Sequence, residues 1–227
     1  MKRITRISLR RRALLPWLLI VCTLALTSPV FSSAVAIDKA NINAHATILI
    51  LGDSISAGYG IPEGKGWVSL LQKQLQELDK PILVINDSIS GDTTSGGLAR
   101  LPKALQDTRP NWVLIALGGN DGLRGQALQT IEMNLTQMIS LSRKLGAKPL
   151  LLGIKLPPNY GKQYTQQFEQ VFKRVSVSTN TPLLPFFLEG VGGHAELMQD
   201  DGIHPNSKAQ NIIKNNVWQF IAPLINF

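Results

Sequence analysis

The feature that most constrains this chain is the run Ile48-Leu49-Ile50-Leu51, which stops abruptly at Gly52-Asp53-Ser54. Four aliphatic residues with no polar alternation, bounded by glycine, read as a strand buried on both faces, the kind a parallel sheet contains. With Thr47 it predicts a first strand over 47–51. Similar apolar runs predict strands at 82–85, 112–117, 149–154 and 183–184. Helical spacing fills the intervals. A helix is predicted at 68–78, with leucines at 71, 75 and 78, and a short one at 98–106. A longer one at 126–145 places Ile131, Leu135, Met138, Ile139 and Ser142 on one side, stopped by Gly146. Helices at 164–177 and 205–221 follow, the last with Ile212, Ile213, Val217 and Phe220 facing inward. Met133, Met138, Trp218, Phe186, Phe187 and Leu188 are assigned to the core. Strands alternating with helices five times make one doubly wound α/β domain on a parallel sheet.

The amino terminus has a different character. Lys2, Arg3, Arg6, Arg10, Arg11 and Arg12 precede an apolar stretch from Ala13 to Leu26, and Ala34-Val35-Ala36 follows. Basic start, apolar middle and small-x-small end make a secretory signal peptide over residues 1–36, cleaved after Ala36 or, second choice, after Ala34. The apolar stretch is short for a membrane-spanning helix. The two domain-level segments are therefore a leader, 1–36, and a folded domain, 37–227, placed in the periplasm or outside the cell.

Removing the leader changes the charge argument. The formal net charge of +8 comes mostly from those six leader cations, leaving 17 Lys and Arg against 15 Asp and Glu. A nearly balanced domain offers no clustered basic face for nucleic acid. The single cysteine, Cys22, is in the leader, so thiol nucleophiles, cysteine metal sites and disulfides are excluded from the mature domain.

Ligands in open α/β sheets bind outside the carboxyl ends of the strands. Ser54 follows the first strand there, which makes it a candidate nucleophile. A serine hydroxyl is a weak nucleophile until a base removes its proton. Of three histidines, His45 lies in a polar start and His194 sits between Gly193 and Ala195. His204 has Asp201 three residues before it and Pro205 directly after. That spacing lets the carboxylate reach one ring nitrogen and leaves the other for Ser54, fixing the tautomer and stabilising the imidazolium. Acyl transfer also needs donors aimed at a developing oxyanion. The candidates are the backbone N–H groups of Ser54 and Gly91 and the side-chain amide of Asn120, all at predicted strand ends. Asp53, Asp92 and Asp121 are read as loop and helix-cap acceptors rather than as a metal cluster. Arg124 is read as a surface salt-bridge residue, with an anionic head group as the alternative.

The ordered set Ser54, Gly91, Asn120 and His204 resembles the four blocks of the SGNH/GDSL hydrolase family, with the acid at Asp201. Residues 51–59, 88–93, 97–102, 117–125 and 199–206 resemble the branch of bacterial periplasmic thioesterases, lysophospholipases and arylesterases. The resemblance spans about Ala46 to Pro223. It implies a flavodoxin-like three-layer sandwich with a five-stranded parallel sheet, the SGNH hydrolase fold. It implies Ser-His-Asp hydrolysis of esters and thioesters of medium or long acyl chains, with no metal and no cofactor. A small-molecule acyl ester or thioester is the expected substrate, lysophospholipid at a membrane surface included, and a monomer is expected. Leu123 and Tyr160 are candidates for the acyl groove. The loop 61–66 and the segment 189–197 depart from the family pattern, so chain-length preference does not transfer. The rival readings are a carbohydrate O-acetyl esterase of the same superfamily and a secreted binding protein with an inert site.

Overall fold

The computed structural model describes residues 46–225. The leader 1–36, Cys22 and His45 lie outside those residues. Five strands form one parallel sheet: β1 (Ala46–Gly52), β2 (Ile82–Asn86), β3 (Trp112–Ala116), β4 (Lys148–Leu152) and β5 (Leu183–Leu184). Their spatial order is β2-β1-β3-β4-β5, the flavodoxin-like order. Ile48 to Leu51 of β1 and Val113 to Ile115 of β3 are fully buried because the two strands are central and covered on both faces.

Among the described residues seven α-helices connect and cover the strands: α1 (Ser54–Ala57), α2 (Trp67–Glu77), α3 (Thr94–Thr108), α4 (Gly119–Leu123), α5 (Leu128–Lys144), α6 (Lys162–Thr179) and α7 (Gln210–Ile221). Right-handed crossovers dictate which face each takes. The step from β1 to β2 runs one way across the sheet, and every later step runs the other way. Hence α2 lies on one face, while α3, α5 and α6 pack side by side on the opposite one. After β5 the chain returns to the first face, where α7 packs on α2. The order reverses between β1 and β3, so a crevice opens at their carboxyl ends.

Several sequence expectations shift here. α3 begins at Thr94 rather than 98, so the loop after β2 is shorter than its Ser-, Thr- and Gly-rich composition suggested. Gly97 lies in this first part of the helix, packed so closely on Leu117 that a Cβ there would collide with its side chain. Thr93 caps the start, its hydroxyl accepting from Gly96 N–H at 3.2 Å. The glycine-rich segment after β3 winds into α4 instead of staying a loop. α7 starts at Gln210, not 205, because Asn206 turns the chain by bonding the carbonyls of Glu196 and Met198. Met133 is 58% exposed and outside the core. It stands two residues after buried Ile131, which puts it across the helix from the apolar stripe that Ile131, Leu135, Met138, Ile139 and Ser142 form. Leu78, the residue after α2, is likewise exposed, whereas Leu71 and Leu75 are buried. Ile212, Phe220, Trp218 and Phe186 are only partly buried, while Ile213, Val217, Phe187 and Leu188 are core.

Candidate active site

The sharp transition at the end of β1 positions Ser54. Asp53 occupies the cap of α1 with extended backbone, and its carboxylate accepts the Ile55 N–H at 3.1 Å. Ser54 is therefore the first helical residue, and its own N–H has no carbonyl four residues back to bond. Gly58, in left-handed conformation, closes the single turn.

One hundred and fifty residues later the chain returns to this point: His204 Nε2 lies 2.8 Å from Ser54 Oγ. On the other side of the ring, Nδ1 lies 2.6 Å from Asp201 Oδ2. The remaining carboxylate oxygen of Asp201 accepts the backbone N–H groups of Ile203 and His204, both at 2.9 Å. A carboxylate three residues ahead of the histidine thus folds its own turn and orients the ring with the same group. Partial burial raises the Asp201 pKa, but the bonds from His204 and Ile203 outweigh it and hold the carboxyl down at about 2. His194 takes no part; it is exposed, 3.6 Å from Glu196.

The Gly91 segment is a β-turn. Asp92 N–H bonds Ile89 C=O at 3.1 Å, and Gly91 at the third position has φ +78°, the geometry of a type II turn. A side chain there would disfavour this φ and with it the orientation of the peptide whose N–H belongs to Gly91. Three further bonds hold the turn in place, one to the end of β1 and two to α4 and its C-cap. Ile89 N–H donates to Gly52 C=O at 3.1 Å, Asn120 Nδ2 donates to Asp92 C=O at 2.9 Å, and Arg124 donates to Gly91 C=O at 3.1 Å. Asn120 spends one amide hydrogen on that bond and keeps a second. Arg124 is exposed and bonds a backbone carbonyl, in place of the salt bridge expected for it.

Two groups of the site were not singled out from sequence. Arg100 ties the ends of β1 and β2 together, with Asp87 Oδ2 at 2.6 Å, Asp92 Oδ2 at 2.8 Å and Gly52 C=O at 3.2 Å. Asp92 precedes α3 and Arg100 lies within it, so helix-face spacing did not signal the pair. Tyr59 lays its ring on His204 with centroids 4.6 Å apart. The expected aspartate roles appear as hydrogen bonds: Asp121 is buried and accepts from Thr94, and Asp92 accepts from Thr93 and Arg100. Of the groove candidates, Leu123 is partly buried against the core and Tyr160 is 38% exposed on a short 3₁₀ turn, Pro158–Tyr160.

The GDSL-like Lipase/Acylhydrolase family model matches residues 50–212, from the middle of β1 into α7 and across every residue of this constellation. The chain belongs to that family. Within the GDSL hydrolases it is 52% identical to Esterase TesA of Pseudomonas aeruginosa over 179 residues, 79% of this chain and 89% of that protein. It is 46% identical to Thioesterase 1/protease 1/lysophospholipase L1 of Escherichia coli over 180 residues, 79% of this chain and 85% of the other. The crystal structure of the esterase EstA from Pseudoalteromonas sp., inhibited by monoethylphosphonate, superposes with TM-score 0.77 at 42% identity. It covers 80% of this chain and all of that one. The GDSL chain described here is accordingly a hydrolase of esters and thioesters acting on a small-molecule substrate, and these relatives favour that reading over a carbohydrate O-acetyl esterase. Among the described residues, no helix is long and apolar enough to cross a membrane.

The aspartate of the GDSL block carries a pH signature. Burial raises Asp53 from 3.8 to about 6, against the opposing pull of the Ile55 N–H and of His204. Between pH 4 and 6 the folded state then holds more proton at this site than the unfolded chain does. Folding stability therefore falls as pH rises through that window. Asn caps a helix as well as Asp does, so Asp53→Asn removes the titration and keeps the cap. The unfolding free energy of Asp53→Asn relative to the unaltered protein should improve by on the order of 3 kcal/mol from pH 4 to pH 7. Urea unfolding at both pH values measures it; a difference that stays constant with pH would refute the assignment.

Proposed function

We propose that Ser54 is the nucleophile, His204 the general base and acid, and Asp201 the group that orients His204. The observation that carries this is the continuous chain from Ser54 Oγ to His204 at 2.8 Å and on to Asp201 at 2.6 Å. Ser54 Oγ attacks the acyl carbonyl carbon while His204 Nε2 takes its proton. The oxyanion is held by the Ser54 N–H, the Gly91 N–H and the second Nδ2 hydrogen of Asn120. Collapse of the tetrahedral intermediate expels the alcohol or thiol, protonated by His204. Water, deprotonated by the same nitrogen, attacks the acyl-serine carbonyl, and collapse of the second tetrahedral intermediate releases the acid as His204 returns the proton to Ser54 Oγ.

Medium and long acyl chains are the proposed substrates, with the chain lying past Leu123 and Tyr160. The names of the relatives, esterase and thioesterase 1/protease 1/lysophospholipase L1, support that range. An exported enzyme meets little acyl-CoA, so lysophospholipid is the proposed cellular substrate, hydrolysed in the periplasm by a monomer that needs no metal, cofactor or nucleic acid.

The test is a series of p-nitrophenyl esters from acetate to palmitate, with and without EDTA, followed by palmitoyl-lysophosphatidylcholine. The specificity constant kcat/KM should rise from acetate to chains of about eight carbons or more, as each buried CH₂ adds about 0.8 kcal/mol of binding, and should be unaffected by EDTA. Activity confined to acetate would overturn the acyl-chain reading in favour of deacetylation. Loss of activity with EDTA would overturn the metal-free mechanism.

A further inference from the structure

Tyr59 is an oddity of the site. It is a large aromatic residue, 54% exposed, and yet its place is heavily specified. It stands between Gly58 and Gly60, both at positive φ, +79° and +70°. A Cβ on Gly60 would run into the side chain of Gln199. Gln199 Nε2 donates to Tyr59 C=O at 2.8 Å and to Pro205 C=O at 3.1 Å. Its backbone N–H donates to His204 C=O at 2.7 Å. One glutamine therefore fastens the loop that carries Tyr59 to the segment that carries His204, across 140 residues of sequence. What this fastening accomplishes is the ring contact, 4.6 Å between centroids with planes tilted by 42°.

The groups that meet the imidazole come from its own turn and from the segment after β1. Asp201 of its own turn holds Nδ1. Ser54 of α1 faces Nε2. Asp53, at the end of β1, attracts the ring when charged. Tyr59 supplies the aromatic contact. The negative face of an aromatic ring attracts a cation within about 6 Å of its centroid. The imidazolium formed when His204 takes the serine proton is such a cation.

We propose that Tyr59 is a positioning residue for His204: its ring braces the imidazole between Ser54 and Asp201 and favours the imidazolium formed during acylation. The assignment rests on the Ser54–His204 mechanism above. It predicts that the ring matters and the hydroxyl does not.

The experiment compares Tyr59→Leu and Tyr59→Phe in the protein without its leader, with kcat, KM and the pH profile of kcat/KM measured on p-nitrophenyl octanoate. Thermal melts check that both variants fold. Tyr59→Leu should lower kcat about 3- to 30-fold with KM within about twofold. Its acid limb should move to lower pH by about half a unit to one unit, because the protonated ring has lost its stabiliser. Tyr59→Phe should match the unaltered protein in all three. A rise in KM alone, with kcat and the acid limb unmoved, would make Tyr59 an acyl-chain contact and overturn the proposal. So would Phe and Leu variants equally impaired, or a Leu variant without defect. Fluorophosphonate labelling of the same preparations separates the two levels. An unaltered protein that does not label at Ser54 brings down the mechanism and this assignment together. One that labels, beside a Leu variant of unchanged kinetics, brings down this assignment alone.

Discussion

Replacing Ser54 by alanine should lower kcat on p-nitrophenyl octanoate by about 10⁴- to 10⁶-fold while KM moves by no more than a few-fold. The split follows from what the side chain touches. Ser54 is nearly buried, and its hydroxyl meets His204 Nε2 at 2.8 Å. Removing one oxygen opens no core cavity, because Ser54 starts a one-turn helix at the mouth of the crevice and not within the apolar layer. The fold and the acyl site should survive, and the thermal melt should stay within a few degrees. The backbone N–H of residue 54 also survives, so residual turnover above the uncatalysed rate is expected from the remaining oxyanion donors. The same variant should no longer take a fluorophosphonate label. Retention of more than about a tenth of the turnover would mean that another group performs the attack.

Asp201→Asn is the second large effect, and here the local geometry dictates the mechanism of failure. Oδ1 accepts two backbone N–H groups at 2.9 Å, from Ile203 and His204. Only an oxygen satisfies both. An asparagine must therefore keep its carbonyl on that side and turn its NH₂ toward His204 Nδ1, where Oδ2 now lies at 2.6 Å. Nδ1 then becomes the acceptor, and the ring proton moves to Nε2, which faces Ser54. A base whose lone pair points away from the serine cannot take its proton. The expected loss in kcat is about 10⁴-fold, the cost of a wrong tautomer at an otherwise intact triad. The turn itself should remain folded, so the melting temperature should change little. Nitrogen-15 shifts of His204 report the tautomer directly: Asn should move the proton to Nε2. A variant within tenfold of the unaltered rate, or one with the proton still on Nδ1, would refute the role assigned to Asp201.

Much of this was readable in the chain itself, for identifiable reasons. A buried parallel strand must be a run such as Ile48 to Leu51, since neither face meets water. The amphipathic period of α5 names its own inner face, from Ile131 to Ser142. The Asp201–His204 pair was legible because a three-residue spacing allows one carboxylate to hold both the turn and the ring. Ser54 was legible because an apolar strand ending in Gly-Asp-Ser puts a hydroxyl at the rim where such sheets bind ligands. Two of the misreadings share a cause. Composition marked the stretch before 98 and the stretch after β3 as loops. Yet Gly97 lies in α3, where Leu117 fills the space a side chain would need, and that close packing is a fact about a neighbouring element.

What the sequence determined alone is the set of local properties: which residues must be strand, which helix face is apolar, which turn can orient a histidine. Each depends on atoms within a few residues of one another. What only the tertiary structure decided are the contacts between distant segments. Ser54 meets His204 across 150 positions, Arg100 binds the ends of two strands together, and Gln199 ties Tyr59 to the histidine loop. No local preference encodes those distances. They come from the reversal of strand order between β1 and β3, which packing on both faces of the sheet imposes and which brings the carboxyl-end loops to one crevice.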